Sequence, residues 1–272
     1  MWSCVLLTDA SADEVTAFSS VTVVPAGDPM TLVDTIGRLG TSHVLIAAPT
    51  ALTGQLGTAL SLANGRWPDV RIARLISPHS PLAILSALAL ARDATQWPND
   101  GVRLAESLLR HSWSGAWTAS VAKLTDPAPT VGQHLRSFLP GGGFLLRQAP
   151  SPAVLHRQRA DDVPPLDLDR VLLVQVEGVP VHVTQRLSRL DRVVAVRQVG
   201  VPGRWQSIYG GRAGQIAIVP ADPTGLLGPR THRCTACGFD QPGPVCPFCR
   251  VVGVPLVHLS GQRVAGHVGG QG

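Results

Sequence analysis

Apolar and polar positions alternate in a regular rhythm over residues 1 to 125. Nearly continuous apolar runs at Trp2 to Leu7, Ser20 to Val24, His43 to Ala48 and Val70 to Ile76 read as strands. Segments with helical spacing separate and follow them: Ala12 to Phe18, Met30 to Leu39, Leu52 to Leu62 and Pro81 to Arg92. This β-α-β-α order predicts a parallel sheet, and strands as apolar as VLIAA are those covered on both faces. Ser11 with Glu14 forms a capping-box pattern, and Asp28-Pro29 opens the next helix. The fold class is therefore α/β, with a Rossmann-like parallel-sheet domain over 1–125. Gly101 to Arg110 predicts one more helix, whereas HSWSGAW after it fits neither period cleanly.

Beyond TDPAPT, residues 125 to 130, the rhythm weakens. A short helix at Val131 to Leu139 runs into Pro140 and the triple glycine Gly141 to Gly143, and a strand follows at Phe144 to Arg147. Residues 149 to 169 are rich in Pro, Asp and Arg and read as loop. A strand at Val171 to Val176, a helix at Val183 to Leu190 and a strand at Val193 to Val199 form one further β-α-β unit, with Gln215 to Val219 as an added strand. Residues 130–225 are thus expected as a small α+β domain, 229–258 as a zinc ribbon and 259–272 as a flexible tail.

The ribbon expectation rests on RCTACGFDQPGPVCPFCR, which holds four of the five cysteines as two Cys-x-x-Cys pairs eight residues apart. Each pair turns two sulfurs toward one ion. Two such knuckles, Cys234/Cys237 and Cys246/Cys249, complete a closed tetrahedral Zn²⁺ site that is structural, not catalytic. The pattern resembles the short zinc ribbons of bacterial and archaeal proteins, matched at Cys234, Cys237, Gly238, Cys246, Pro247 and Cys249, and is similar to those of the primosomal replication helicase. The likeness covers about 20 residues and implies a zinc module, with nucleic-acid contact, protein docking and folding support all open as its purpose.

Charge changes the picture further. Residues 1–125 hold nine acids and eight bases, and residues 126–272 hold nine acids and fifteen bases, so the basicity is C-terminal. Arg204, Trp205, Tyr209 and Arg212 lie in a glycine-rich frame, and Arg233 and Arg250 flank the cysteine stretch. Aromatics beside guanidinium groups suit nucleic acid, by stacking and phosphate contact. The alternative is a hairpin or loop whose aromatics, Trp205 and Tyr209, cap the small domain while the arginines are solvated on its face.

An open parallel sheet binds ligands at the carboxyl ends of its strands. Asp9, Asp28 and His79 lie there and form a candidate ligand-binding set for a nucleotide-like molecule, although such residues at β-α junctions are usually caps and turn formers. No phosphate-loop, dinucleotide or nucleophile-elbow motif is present in the sequence. Cys4 lies inside the first apolar strand and reads as a buried thiol. The sequence shows no secretory signal and no apolar run of membrane-spanning length. It is expected to be a cytoplasmic accessory or adaptor protein rather than an enzyme, contacting nucleic acid or a protein assembly; a ligand-binding enzyme or sensor is the alternative.

Overall fold

The computed structural model describes residues 2–9, 18–124, 127–139, 143–155, 170–176, 179–189, 193–200 and 213–256. The expected helix at Ala12 to Phe18 with its capping box, the triple glycine's first two members and the tail lie outside them, apart from Phe18.

Four strands, β1 (Trp2–Thr8), β2 (Val21–Pro25), β3 (His43–Pro49) and β4 (Arg71–Ser77), form a parallel sheet in the order β2-β1-β3-β4. The residue period of two is visible in β3. Val44, Ile46 and Ala48 pack on one face with α1 (Pro29–Leu39) and α2 (Thr53–Arg66), through Leu32, Val33, Ile36, Leu56, Ala59 and Ala63. Leu45 and Ala47 join the opposite face with α3 (Pro81–Ala94) and α4 (Pro98–Arg110). Double coverage is why β3 carries no polar residue after His43. Asp28 caps α1 by accepting from Met30 N–H at 2.9 Å, and Gly40 ends it with a left-handed φ of 60°.

A second, six-stranded sheet has the order β7-β6-β5-β10-β8-β9, built from β5 (Trp113–Thr118), β6 (Phe144–Ala149), β7 (Ala153–Leu155), β8 (Val171–Val176), β9 (Val193–Val199) and β10 (Ala213–Pro220). All its pairs are antiparallel except β8 with β9, which α6 (Val181–Ser188) connects as the expected β-α-β unit. The ambiguous HSWSGAW is β5, and the added strand at Gln215 to Val219 is β10, buried along its whole length between β5 and β8. The second sheet thus takes a strand from before residue 125. The short helix expected after the linker is α5 (Val131–Arg136), closed by a full capping box between Thr130 and Gln133.

The two sheets do not merge. They share α3, whose Leu82, Ala83, Ile84, Leu85, Ala87, Leu88, Ala89 and Ala91 are all buried and pack into one core with strands of both. A helix apolar on all sides belongs in such a middle layer. The layers are α1/α2, parallel sheet, α3/α4, mixed sheet.

The last described segment forms a small antiparallel sheet, β12-β11-β13, from β11 (His232–Arg233), β12 (Asp240–Gln241) and β13 (Val254–Pro255). It packs against the first turn of α4 and the amino-terminal ends of β3 and β4. No helix among the described residues is long and apolar enough to cross a membrane.

Candidate functional site

The strand-order reversal lies at β1 and β3, so the crevice end of the parallel sheet is where Thr8, Asp9, Pro49 and Ser77 sit. The candidate set expected there does not assemble as one acid/base group. Asp9 is exposed and accepts from its own neighbour Thr8 Oγ1 at 3.2 Å, and Asp28 is the cap of α1.

His79 is instead buried at the head of α3, at the seam with the second sheet. Its Nδ1 is 3.1 Å from Ser114 Oγ, and Ser114 Oγ also accepts from Ser80 N–H at 3.3 Å. The ring bonds to the Leu109 carbonyl at the end of α4. A carbonyl only accepts, so the neutral ring donates to Leu109 and accepts from Ser114. Burial holds the imidazole down at about 4, partly opposed by the Leu109 bond, and it is neutral at physiological pH. Ser80 Oγ caps Ala83 N–H, Gln215 Oε1 accepts from Leu82 N–H at 3.3 Å, and Ser77 Oγ accepts from His79 N–H. Three serines, a histidine and a glutamine from both sheets thus meet around the first turn of α3, directly above an apolar core. Ser114 and Gln215 were not singled out in the sequence, although each is a polar residue inside an apolar strand, WSGAW and AGQIAIV, which was the available signal.

At the opposite end of the parallel sheet the four cysteines come together. The Sγ atoms of Cys234, Cys237, Cys246 and Cys249 all lie within 4.8 Å of one another and could hold a metal ion. The two loops are built alike. Gly238 N–H donates to Cys234 O at 2.9 Å and Arg250 N–H to Cys246 O at 3.0 Å, with left-handed φ values of 73° and 59° at Gly238 and Arg250. Burial opposes ionisation of Cys234, but N–H donors from Cys237 and Ala236 overcome it and hold that thiol down at about 7. Burial and the neighbouring sulfurs push Cys237 and Cys249 up. Four packed thiols cannot all ionise unless a cation joins them. Cys4 is buried in β1 and its thiol is pushed up by burial.

This unit is docked rather than free. Phe239 and Phe248 meet the His43 ring edge to face at 5.1 and 5.0 Å, and Phe239 meets Trp97 at 6.1 Å. Arg230 pairs with Asp100 Oδ2 at 2.5 Å while lying over Trp97, and Arg103 Nη2 donates to Val245 O at 2.9 Å.

No protein-family model matches the sequence, and no sequence among the curated proteins matches it. The fold, however, is that of a two-sheet α/β class with solved members. It is similar to the fatty acid kinase (Fak) B3 protein of Streptococcus pneumoniae, solved loaded with linoleic acid, at a TM-score of 0.59 and 10% identity over 82% of this chain and 100% of that one. It is similar to a DegV family protein from Thermus thermophilus described for its fatty acid binding, at 0.59 and 12% over 80% and 99%. A DegV family protein from Eubacterium eligens loaded with heptadecanoic acid gives 0.56 and 10% over 82% and 100%.

These neighbours overturn the expected zinc-dependent nucleic-acid or assembly adaptor, and with it the nucleotide-like alternative at Asp9, Asp28 and His79. The physical reason lies in where the arginines go. Arg230 is held by Asp100 and Arg233 by Asp240 at 2.7 Å, while Arg197 lies over Phe18 at 4.7 Å. These three C-terminal arginines are engaged by groups of the chain itself. Arg204, Trp205, Tyr209 and Arg212 lie outside the described residues, and Arg250 occupies the turn of the second cysteine loop.

Proposed function

We propose that this chain binds a long-chain fatty acid in the manner of its structural neighbours and that its C-terminal unit, about residues 229–258, is a structural zinc ribbon added to that fold. The observation that carries the lipid reading is the extent of the likeness: 80% or more of this chain aligns with the whole length of structures described with linoleic, heptadecanoic and other fatty acids. The layers supply matching chemistry. A fatty acid needs a few polar donors for its carboxyl group beside a large apolar interior. Ser77, Ser80, Ser114, His79 and Gln215 collect at the head of α3, and the apolar slab around α3 lies behind them.

Support for zinc comes from spacing. A tetrahedron with Zn–S distances of about 2.3 Å has S···S edges of about 3.8 Å. Cys237 and Cys246 are 3.8 Å apart, far beyond a disulfide, and all four thiols are free. Two paired knuckles with no water position describe a closed site, suited to reduced thiols in a cytoplasm.

The lipid reading is tested by delipidating the purified chain and titrating it with stearic and linoleic acid, following melting temperature and native mass. One acyl chain per protein and a concentration-dependent rise in melting temperature are expected. Absence of both at saturating lipid sinks the reading. Ser114→Ala with Gln215→Leu should weaken the shift if the head of α3 holds the carboxyl group.

A further inference from the structure

The four cysteines account for an inner ring of ligands, but the contacts around them come from a different part of the chain. Arg71 Nη1, at the start of β4, donates to Cys249 Sγ at 3.1 Å, and its Nη2 reaches Ala236 O at 3.5 Å. Asn99, in the first turn of α4 and fully buried, has its Oδ1 at 3.8 Å from Cys246 Sγ. Its Nδ2 donates to Gln241 Oε1 at 3.3 Å, and Gln241 is buried with its Nε2 lacking a hydrogen-bond partner among the described residues.

We infer that the α/β body supplies the outer shell of the metal site, with Arg71 as the cation that balances the sulfurs and Asn99, braced by Gln241, as the buried amide set against Cys246. This inference rests on the metal-binding part of the function proposed above. Asn99 and Gln241 are both buried and bonded to each other, which fixes the Asn99 amide beside the Cys246 sulfur.

Arg71 completes the balance. A divalent ion with four thiolates carries two net negative charges, and a guanidinium hydrogen-bonded to one sulfur offsets part of this without competing for the metal. Outer-shell donors of this kind typically change metal retention by about 10 to 100-fold. A ribbon built on this plan holds its ion fully only when docked, because Arg71 and Asn99 belong to β4 and α4.

The experiment uses the full chain loaded with zinc, then with cobalt(II). Zinc transfer to a chromophoric chelator should be about tenfold faster in Arg71→Gln and close to wild type in Arg71→Lys, which keeps the charge. The thiolate-to-cobalt charge-transfer band should move to lower energy in Arg71→Gln, because loss of the positive guanidinium beside Cys249 raises the sulfur orbitals. Arg71 is exposed, so these variants keep the fold. Asn99→Asp, which places a fixed acceptor against the sulfur, should release zinc faster still. Release rates and cobalt bands equal to wild type in both Arg71→Gln and Asn99→Asp overturn the inference alone. A wild-type chain that takes up neither ion overturns it together with the zinc reading.

Discussion

A buried neutral histidine at the seam between two sheets is a stability element as well as a candidate ligand contact. His79 is held down at about 4 by burial, against 6.5 for an ordinary histidine. Below pH 6.5 the unfolded chain takes up a proton that the folded chain refuses. The stability this residue contributes is therefore complete above pH 6.5, falls as pH drops toward 4, and levels off below. The interval corresponds to a loss on the order of 3 kcal/mol. Urea unfolding at several pH values should show a steeper acid decline for wild type than for His79→Gln, which lacks the titrating group although it is less stable at neutral pH. Parallel declines would mean that the ring is hydrated and not buried. The histidine itself was legible in the sequence as a polar residue at a strand end. Its role was not, because the partner that explains it, Ser114, is 35 positions away and sits in a stretch without clear periodicity.

Among the elements, those with a strong apolar period were legible, and β5, whose period is broken, was not. β1, β3, α1 and α3 fall within a residue or two of the stretches read from pattern, since burial on both faces of a strand or all round a helix leaves a dense apolar signature. β5 was not legible, because serine and glycine interrupt WSGAWT. The structure gives the reason for the glycine. A Cβ at Gly115 would collide with the Leu146 carbonyl of the paired β6 and with the Trp113 ring, at the point where the β5–β6 register shifts. Gly115→Ala is expected to lower stability by about 2 kcal/mol through overpacking. Gly57→Ala, in an open position on α2, should raise it by roughly 0.5 to 1 kcal/mol through helix propensity. Opposite shifts of the urea midpoint with unchanged slope would verify the pair, and a tolerated Gly115→Ala would show that β5 and β6 are not so closely apposed.

At the scale of the whole molecule, the C-terminal excess of bases suggested a surface for nucleic acid or a partner, and the reason it misled is that charge counts carry no pairing information. Arg230 looks like one more exposed cation in the sequence, yet it neutralises Asp100, whose side chain is only 6% exposed, beneath the C-terminal unit. Removing the arginine leaves a buried carboxylate without its partner, at a cost of about 1 to 3 kcal/mol because the arginine itself is partly exposed. In a chain of this size that corresponds to roughly 2 to 12 °C in melting temperature. Chelation of the metal should loosen the same docked surface, where Phe239 and Phe248 pack on His43. If the unit and the body form one cooperative structure, calorimetry will show a single transition that falls with chelator and falls with Arg230→Ala. The two losses will then sum to less than their separate values, because each removes part of the same interface. Two resolved transitions, or fully additive losses, would instead mean that the metal-bearing unit melts independently and that its contacts with Asn99, Asp100 and Arg71 contribute little to the body beneath it.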